Sequence, residues 1–432
     1  MGPVLIFDKS FLQSLSVDEA VWLDNFFLSN ITPLFFVETL ADLEKEVGRG
    51  KTPEEVVGLL ALKTPDMAVK PNMLHFELLE AELSGVGEVD MRYGRPIVSG
   101  GKMVQLDGKT GVYFEPSPEE EAFQRWQDGK FLDLERQGAK KWRAMLSNIN
   151  LETIFRDFQK FFPCGKPKTL ADVKKFVDFH LDVPDQESVL RFGLSLINIP
   201  NDFHEEIVSV WRTRGKQSIR IAFPYFTHVF TVDLFFAIAV AADLVGRGRP
   251  SHKIDVAYLY YLPFCMAFTS SDKLHIQLAP FFLKPEQSFI LGAELKADLA
   301  RLNAHYSALP ESEKAKGLMG MAFYPPRNDS FLVARLWDKH MSKEWRQRAE
   351  ETKPSPDKEG GAKMMAEIKR WEDEASPAAT GTATKSDDAH HLVVQRTVKV
   401  KKGSWTRFPP EVVNRKKNEN GEWEDVEPQP PL

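Results

Sequence analysis

Val4-Leu5-Ile6-Phe7-Asp8 and, far downstream, Met266-Ala267-Phe268-Thr269-Ser270-Ser271-Asp272 are the stretches that decide the fold. Each is a short apolar run closed by a carboxylate. That pattern suits a buried parallel strand delivering an acid to the carboxyl edge of its sheet. Open α/β sheets bind their ligands at that edge. If the two strands are neighbours, acids from distant parts of the chain share one pocket, and clustered carboxylates repel unless a cation neutralises them. The plainer reading makes each Asp the N-cap of a strand-to-helix turn.

Outward from Asp8 the chain reads strand, helix, strand, helix. Ser16-Val17-Asp18-Glu19 is a capping box opening a helix to about Leu28, with Trp22, Leu23, Phe26 and Phe27 as its apolar face. Residues 31–37 read as a second buried strand, and residues 38–47 as a helix stopped by Gly48-Arg49-Gly50. Glu38 and Asp42 share one face of that helix. Around Asp272 the α/β texture returns from about residue 221. Residues 231–244 form a strongly apolar helix, and residues 253–261 a helix with Asp255 in its first turn, ended by Pro263. Residues 273–278 read as a further helix, 288–291 as a last strand and 293–306 as a closing helix.

Residues 51–220 have a different texture and read as a mainly helical insertion. It contains a β-hairpin, residues 103–106 against 111–114, turning through Asp107-Gly108. Residues 151–162 and 170–181 extend its helical part. Residues 340–432 read as a polar, largely disordered tail, rich in Lys, Glu, Pro, Ser, Ala, Thr and Asp. Within it, 362–374 could form a charged helix and 393–400 a lone strand.

The 432 residues exceed one ordinary domain, and a hydrophobic share of 43% with a charged share of 27% is that of a globular protein. Lys and Arg number 56 against 62 Asp and Glu, a net charge of −6, so any nucleic-acid contact must come from local basic patches. Two cysteines, Cys164 and Cys265, give no disulfide framework or cysteine zinc site. No basic leader precedes the first strand, and the most apolar stretch, 234–242, is too short to span a bilayer. A cytoplasmic protein without a membrane partner is the expectation.

Four acids in order now stand on the page: Asp8 in Leu5-Ile6-Phe7-Asp8-Lys9-Ser10, an acid in Pro33-Leu34-Phe35-Phe36-Val37-Glu38-Thr39-Leu40-Ala41-Asp42-Leu43, Asp255 in Lys253-Ile254-Asp255-Val256-Ala257, and Asp272 in Ser270-Ser271-Asp272. This series resembles the PIN-domain nucleases and their PIN-like relatives over residues 1–48 and 222–308, together roughly 130 residues, one ordinary domain. Either Glu38 or Asp42 supplies the matching second acid, and the long insertion departs from the family's pattern. The resemblance implies an α/β fold with a central parallel sheet and metal-dependent phosphodiester hydrolysis, RNA favoured over DNA. It implies Mg²⁺ or Mn²⁺ held by Asp8 and Asp272, with Asp255 and Glu38 or Asp42 completing the site, and Ser10 and Ser270 supporting the acids or a phosphate. A phosphatase of the haloacid dehalogenase type is set aside, because the second Asp it needs two positions after the first is Ser10.

Arg212, Arg214 and Lys216 beside Trp211, together with Arg247 and Arg249, are candidate phosphate contacts, with a solvated loop as the plainer reading. Lys399, Lys401, Lys402, Trp405 and Arg407 in the tail either clamp a nucleic-acid strand or merely solubilise it. The insertion and tail are candidate surfaces for a protein partner. The rival to the nuclease is a catalytically inactive PIN-like module binding nucleic acid or protein, and a toxin or defence role is a third reading.

Overall fold

A computed structural model describes residues 2–47, 50–66, 69–97, 101–106, 109–114, 118–130, 132–135, 137–138, 141, 167–246, 252–351, 391–394, 398–408, 415–417 and 423–425. The chain opens with β1 (Val4–Phe7), α1 (Lys9–Ser14), α2 (Val17–Phe26), β2 (Leu28–Ile31), α3 (Pro33–Val47), α4 (Pro53–Lys63), β3 (Val69–Pro71) and α5 (His75–Leu83). The hairpin strands β4 (Gly101–Leu106) and β5 (Lys109–Phe114) and helix α6 (Pro118–Gln127) follow. Then come α7 (Leu170–Leu181), α8 (Gln186–Leu196), α9 (His204–Thr213), α10 (Ile219–Ala222) and α11 (Pro224–Ala241). The last third of the α/β unit is α12 (His252–Ala257), a 3₁₀ segment (Tyr258–Phe264), β6 (Ala267–Ser270), α13 (Lys273–Leu278), β7 (Ser288–Leu291) and α14 (Gly292–Ser307).

The central sheet runs β3-β2-β1-β6-β7 with every pairing parallel, so the fold is α/β with helices on both faces. The register Ile6↔Phe268 and Phe7↔Thr269 makes β1 and β6 neighbours, which brings the two acid-bearing strand ends together. Successive side chains point to opposite faces. Val4, Ile6 and Phe268 therefore join one core with α7–α11, while Leu5, Phe7, Ile31 and Ala267 join another with α1–α4 and α14.

Residues 31–37, expected as a strand, are strand only to Ile31, and α3 begins at Pro33. Proline at a first helical position is preorganised and loses no hydrogen bond. Leu34 packs into one core and Phe35 and Phe36 into the other, so the run is apolar on several sides, as a buried strand would be. A second departure is β3. It lies inside the stretch read as an insertion, yet it forms the edge of the central sheet. The 253–261 helix is shorter than expected, with α-helix ending at Ala257 and 3₁₀ structure running on through Pro263.

Helix α11 is the most apolar element. It is long and apolar enough to cross a membrane, but 83% of it is buried inside the protein, where it serves as a core helix. Its first N–H groups are answered by Glu82 of α5, whose Oε1 and Oε2 accept from the amides of Tyr225 and Phe226 at 2.9 and 2.7 Å. Burial drives the Glu82 carboxyl up to about 7 against those two bonds and the Arg214 charge.

The hairpin pairs as expected, Met103 with Val112, and accepts β8 (His391–Val394) in parallel along β5. Further on, β9 (Lys401–Lys402) and β10 (Trp405–Thr406) form a tight hairpin docked on α2 and α14. At the turn, Gly403 has φ of 57°, and a Cβ there would lie 2.1 Å from the Asp18 carboxylate, so only glycine fits. Trp405 meets Trp22 edge-on at 4.8 Å, and both indole N–H groups donate to Asn303 Oδ1. Lys402, Trp405 and Arg407 are buried, which corrects the reading of these three as tail residues that either clamp a nucleic-acid strand or solubilise the tail. Residues 151–162 and 362–374, with Cys164, lie outside the described residues. Cys265 is a buried free thiol.

Candidate active site

Both strand-end acids are helix N-caps. Asp8 Oδ1 accepts from the amide of Phe11 at 2.9 Å at the start of α1, and Asp272 Oδ1 accepts from the amide of Leu274 at 2.7 Å at the start of α13. The plainer reading is thus satisfied at both positions, but the surroundings add more than caps require. Ser10 and Ser270 each donate a hydroxyl to Asp8 Oδ2 at 2.7 Å. Ser270 Oγ also accepts from the amide of Asp272 at 2.9 Å, so one hydroxyl links the two acids.

His275, one turn into α13 and fully buried, completes this network. Its Nε2 lies 2.6 Å from the main-chain oxygen of Asp255, and its Nδ1 lies 2.8 Å from Ser270 Oγ and 3.5 Å from Asp8 Oδ2. A carbonyl can only accept, so Nε2 carries a proton. The hydroxyl of Ser270 is already given to Asp8, so Nδ1 carries one as well. The ring is an imidazolium. Burial opposes its charge, but the bond to Asp8 and the Asp8 charge outweigh this and raise it to about 9. Burial likewise pushes the Asp8 carboxyl up, yet His275, Ser270 and Ser10 together hold it below its usual range.

The remaining acids close on the same edge. Asp255, in the first turn of α12, is raised to about 7; burial is the largest cause, and after the opposing pull of His275 come the charges of Asp272, Glu38 and Asp8. Glu38 lies in α3, and its Oε2 accepts from the hydroxyl of Tyr258 at 2.9 Å. The buried Lys9 donates to the main-chain oxygen of Glu38 at 3.3 Å. Asp42 follows one turn later on α3, with its side chain outside the described residues. Among the described residues, no three His, Cys, Asp or Glu side chains stand close enough to hold one metal ion as they are arranged.

Other oxygen donors lie toward the carboxyl ends of β2 and β3. Continuing the register of β2 against β1 brings Thr32 level with Asp8, and the amide of Asn72 donates to Ile31 O at 2.8 Å at the end of β3. Thr32, Asn72 and Asn30 are at least 96% buried, and their side-chain oxygens and amide nitrogens have no hydrogen-bond partner among the described residues. Orphaned buried polar groups are unfavourable by about 1–3 kcal/mol each and point to an occupant that satisfies them. The carboxylate, hydroxyl and carboxamide oxygens at this edge suit a hard divalent cation.

The basic candidates divide. Arg212 pairs with Glu187 at 2.8 Å, and Arg214 donates to Ala222 O and lies over the Phe223 ring. Both are thus used in the helical layer of α8–α11, and the expected loop there is helix as far as Thr213. Lys216 is exposed in the following turn, with φ of 53°. Arg247 and Arg249 lie outside the described residues. His275, Lys9 and the orphaned Asn30, Thr32 and Asn72 were not singled out from the sequence. A histidine three residues after an N-capping Asp was the one available sign.

Compared with known proteins, the chain matches no family model, no curated protein and no solved structure.

Proposed function

We propose that the protein is a PIN-like, Mg²⁺- or Mn²⁺-dependent nuclease that hydrolyses phosphodiester bonds, RNA ahead of DNA. One observation carries the reading: β1 and β6 are neighbours, and Ser270 Oγ, bonded to Asp8 Oδ2 and to the amide of Asp272, joins the two strand-end acids at one sheet edge. Asp8 and Asp272, with Asp255 and Glu38 or Asp42, would hold the ion. When bound, it supplies a Lewis acid that activates water and stabilises a leaving oxygen. The chain's own groups prepare that edge. Ser270 fixes Asp8 relative to Asp272, His275 tethers Asp255 to the β6–α13 turn through its main chain, and the buried β1–β6 pair keeps Asp8 out of bulk water.

The non-catalytic PIN-like module is favoured by one feature: the imidazolium of His275 already answers the Asp8 charge. Cleavage separates the two readings. Wild-type protein should cut labelled single-stranded RNA with Mn²⁺, and a folded Asp8→Asn variant should not. Binding without cutting by wild type would support the module, and equal cutting by both proteins would trace the activity to a contaminant.

A further inference from the structure

Most cations among the described residues face carboxylates, as Arg191, Arg212, Arg220 and Arg346 do. Two lysines do not. Lys63, the last residue of α4, donates its ammonium to Gln13 O at 2.8 Å, and Lys296, in α14, donates to Ser14 O. Elements far apart in sequence thus bring two ammonium groups to successive carbonyls at the end of α1. Neither forms an ion pair among the described residues. Burial, then the neighbouring Lys296 charge, holds the Lys63 ammonium below its ordinary pKa, and Glu19 opposes this only at longer range.

The place matters as much as the charge. Helix α1 starts at Asp8 and is six residues long, about 9 Å at 1.5 Å per residue. Helix α14 starts at the same edge. A Cβ on Gly292 would lie 2.2 Å from Ser271 Oγ and 3.1 Å from the Phe11 ring, so the α14 N-terminus abuts both α1 and the residue before Asp272. Lys296 is one turn further along. The two helices leave the acidic edge together and carry the lysine pair about 10 Å away from it. Capping α1's carbonyls uses one N–H of each ammonium and leaves two for a ligand.

We propose that Lys63 and Lys296 form a phosphate-binding subsite that holds the backbone of single-stranded RNA beside the scissile position. This rests on the nuclease reading. Two cations with no carboxylate partner, bonded to the carbonyls of adjacent residues and about 10 Å from the acids, suit a polyanion that crosses both places. Contact with the backbone carries no base preference.

The test is fluorescence anisotropy with a labelled single-stranded oligoribonucleotide in EDTA, which prevents cutting, over about 50 to 200 mM salt. Each phosphate contact contributes a slope of about −0.7 for single strands, so Lys63→Gln with Lys296→Gln should make the slope shallower by about 1.4 and weaken binding about 25-fold at 0.1 M salt. Lys63→Arg with Lys296→Arg should restore both; Gln and Arg can each donate an N–H to the α1 carbonyls, so a difference between the two pairs follows charge and not capping. Lys314→Gln with Lys316→Gln, equal in charge change and paired with Glu311 and Glu313 instead, should have little effect. RNA binding by wild type with an unchanged slope in the Gln pair overturns this inference and leaves the nuclease reading standing. No RNA binding by wild type overturns both.

Discussion

Replacing Arg407 by methionine should destabilise the protein by about 3–5 kcal/mol, the effect of leaving a buried charge without its partner. Arg407 is fully buried, and its guanidinium bonds Asp24 Oδ2 at 3.0 Å and Asp66 Oδ1. Methionine fills much the same volume, so the lost term is charge rather than packing. Two carboxylates would then share one cation, Lys402, whose ammonium is 3.8 Å from Asp66 and bonded to Thr64 O at 2.6 Å. Asp24 Oδ2 also accepts from the Asp66 amide at 3.1 Å. Burial and then the Asp66 charge already push the Asp24 carboxyl up, so the variant should bind a proton there in the folded state. A folded carboxyl raised above its unfolded value loses stability as pH rises. The Arg407→Met penalty should therefore be smaller at pH 5.5 than at pH 8. Urea unfolding of both proteins at the two pH values measures it. A difference below about 0.5 kcal/mol at pH 8, within the range of an ordinary surface substitution, would show that residues 399–408 do not seal the α2–α4 end of the core.

Glu82 offers a second pH test. Its folded carboxyl near 7, against an ordinary 4.5, stays protonated where the unfolded one ionises, so stability should fall between pH 4.5 and 7 by up to about 3 kcal/mol. Glu82→Gln should flatten that part of the profile relative to wild type, and parallel wild-type and variant curves in urea unfolding would contradict the buried cap. His275 has the opposite sign. Raised from 6.5 to about 9, it adds stability that is full below pH 6.5 and lost as pH rises through 9. His275→Gln should therefore be destabilising by about 3 kcal/mol at pH 6 and by little at pH 10, and a penalty equal at both would show the ring to be neutral. In catalysis, Asp272→Asn should lower Mn²⁺-dependent RNA cleavage by more than about 100-fold with the fold retained, since even outer groups at metal sites are worth 10–100-fold. Cleavage within tenfold of wild type would remove Asp272 from the site.

The parallel sheet was legible because β1 and β6 carry unbroken apolar runs ended by Asp8 and by Ser270-Ser271-Asp272. Helices with local start signals were legible too, such as α2 with the Ser16–Glu19 capping box. What failed was decided at long range. The run Leu34-Phe35-Phe36 is apolar on several sides because α3 lies between two cores, and periodicity alone does not separate that from a buried strand. Three-residue β3 is too short to announce itself. Arg407 reads as a tail residue until Asp24, 383 positions away, is placed beside it. The acidic edge shows the same division. Asp8 and Asp272 could be paired from their strand ends, whereas His275, Thr32 and Asn72 gain meaning only once β1, β2, β3 and α13 are side by side.

The most direct test of the central claim is a crystal soaked in Mn²⁺ and measured for anomalous scattering. The account predicts a peak at the carboxyl edge of β1 and β6, with oxygens of Asp8 and Asp272 about 2.0–2.6 Å from the ion. No peak at that edge under saturating Mn²⁺, with Asp8 still paired to His275, would contradict it.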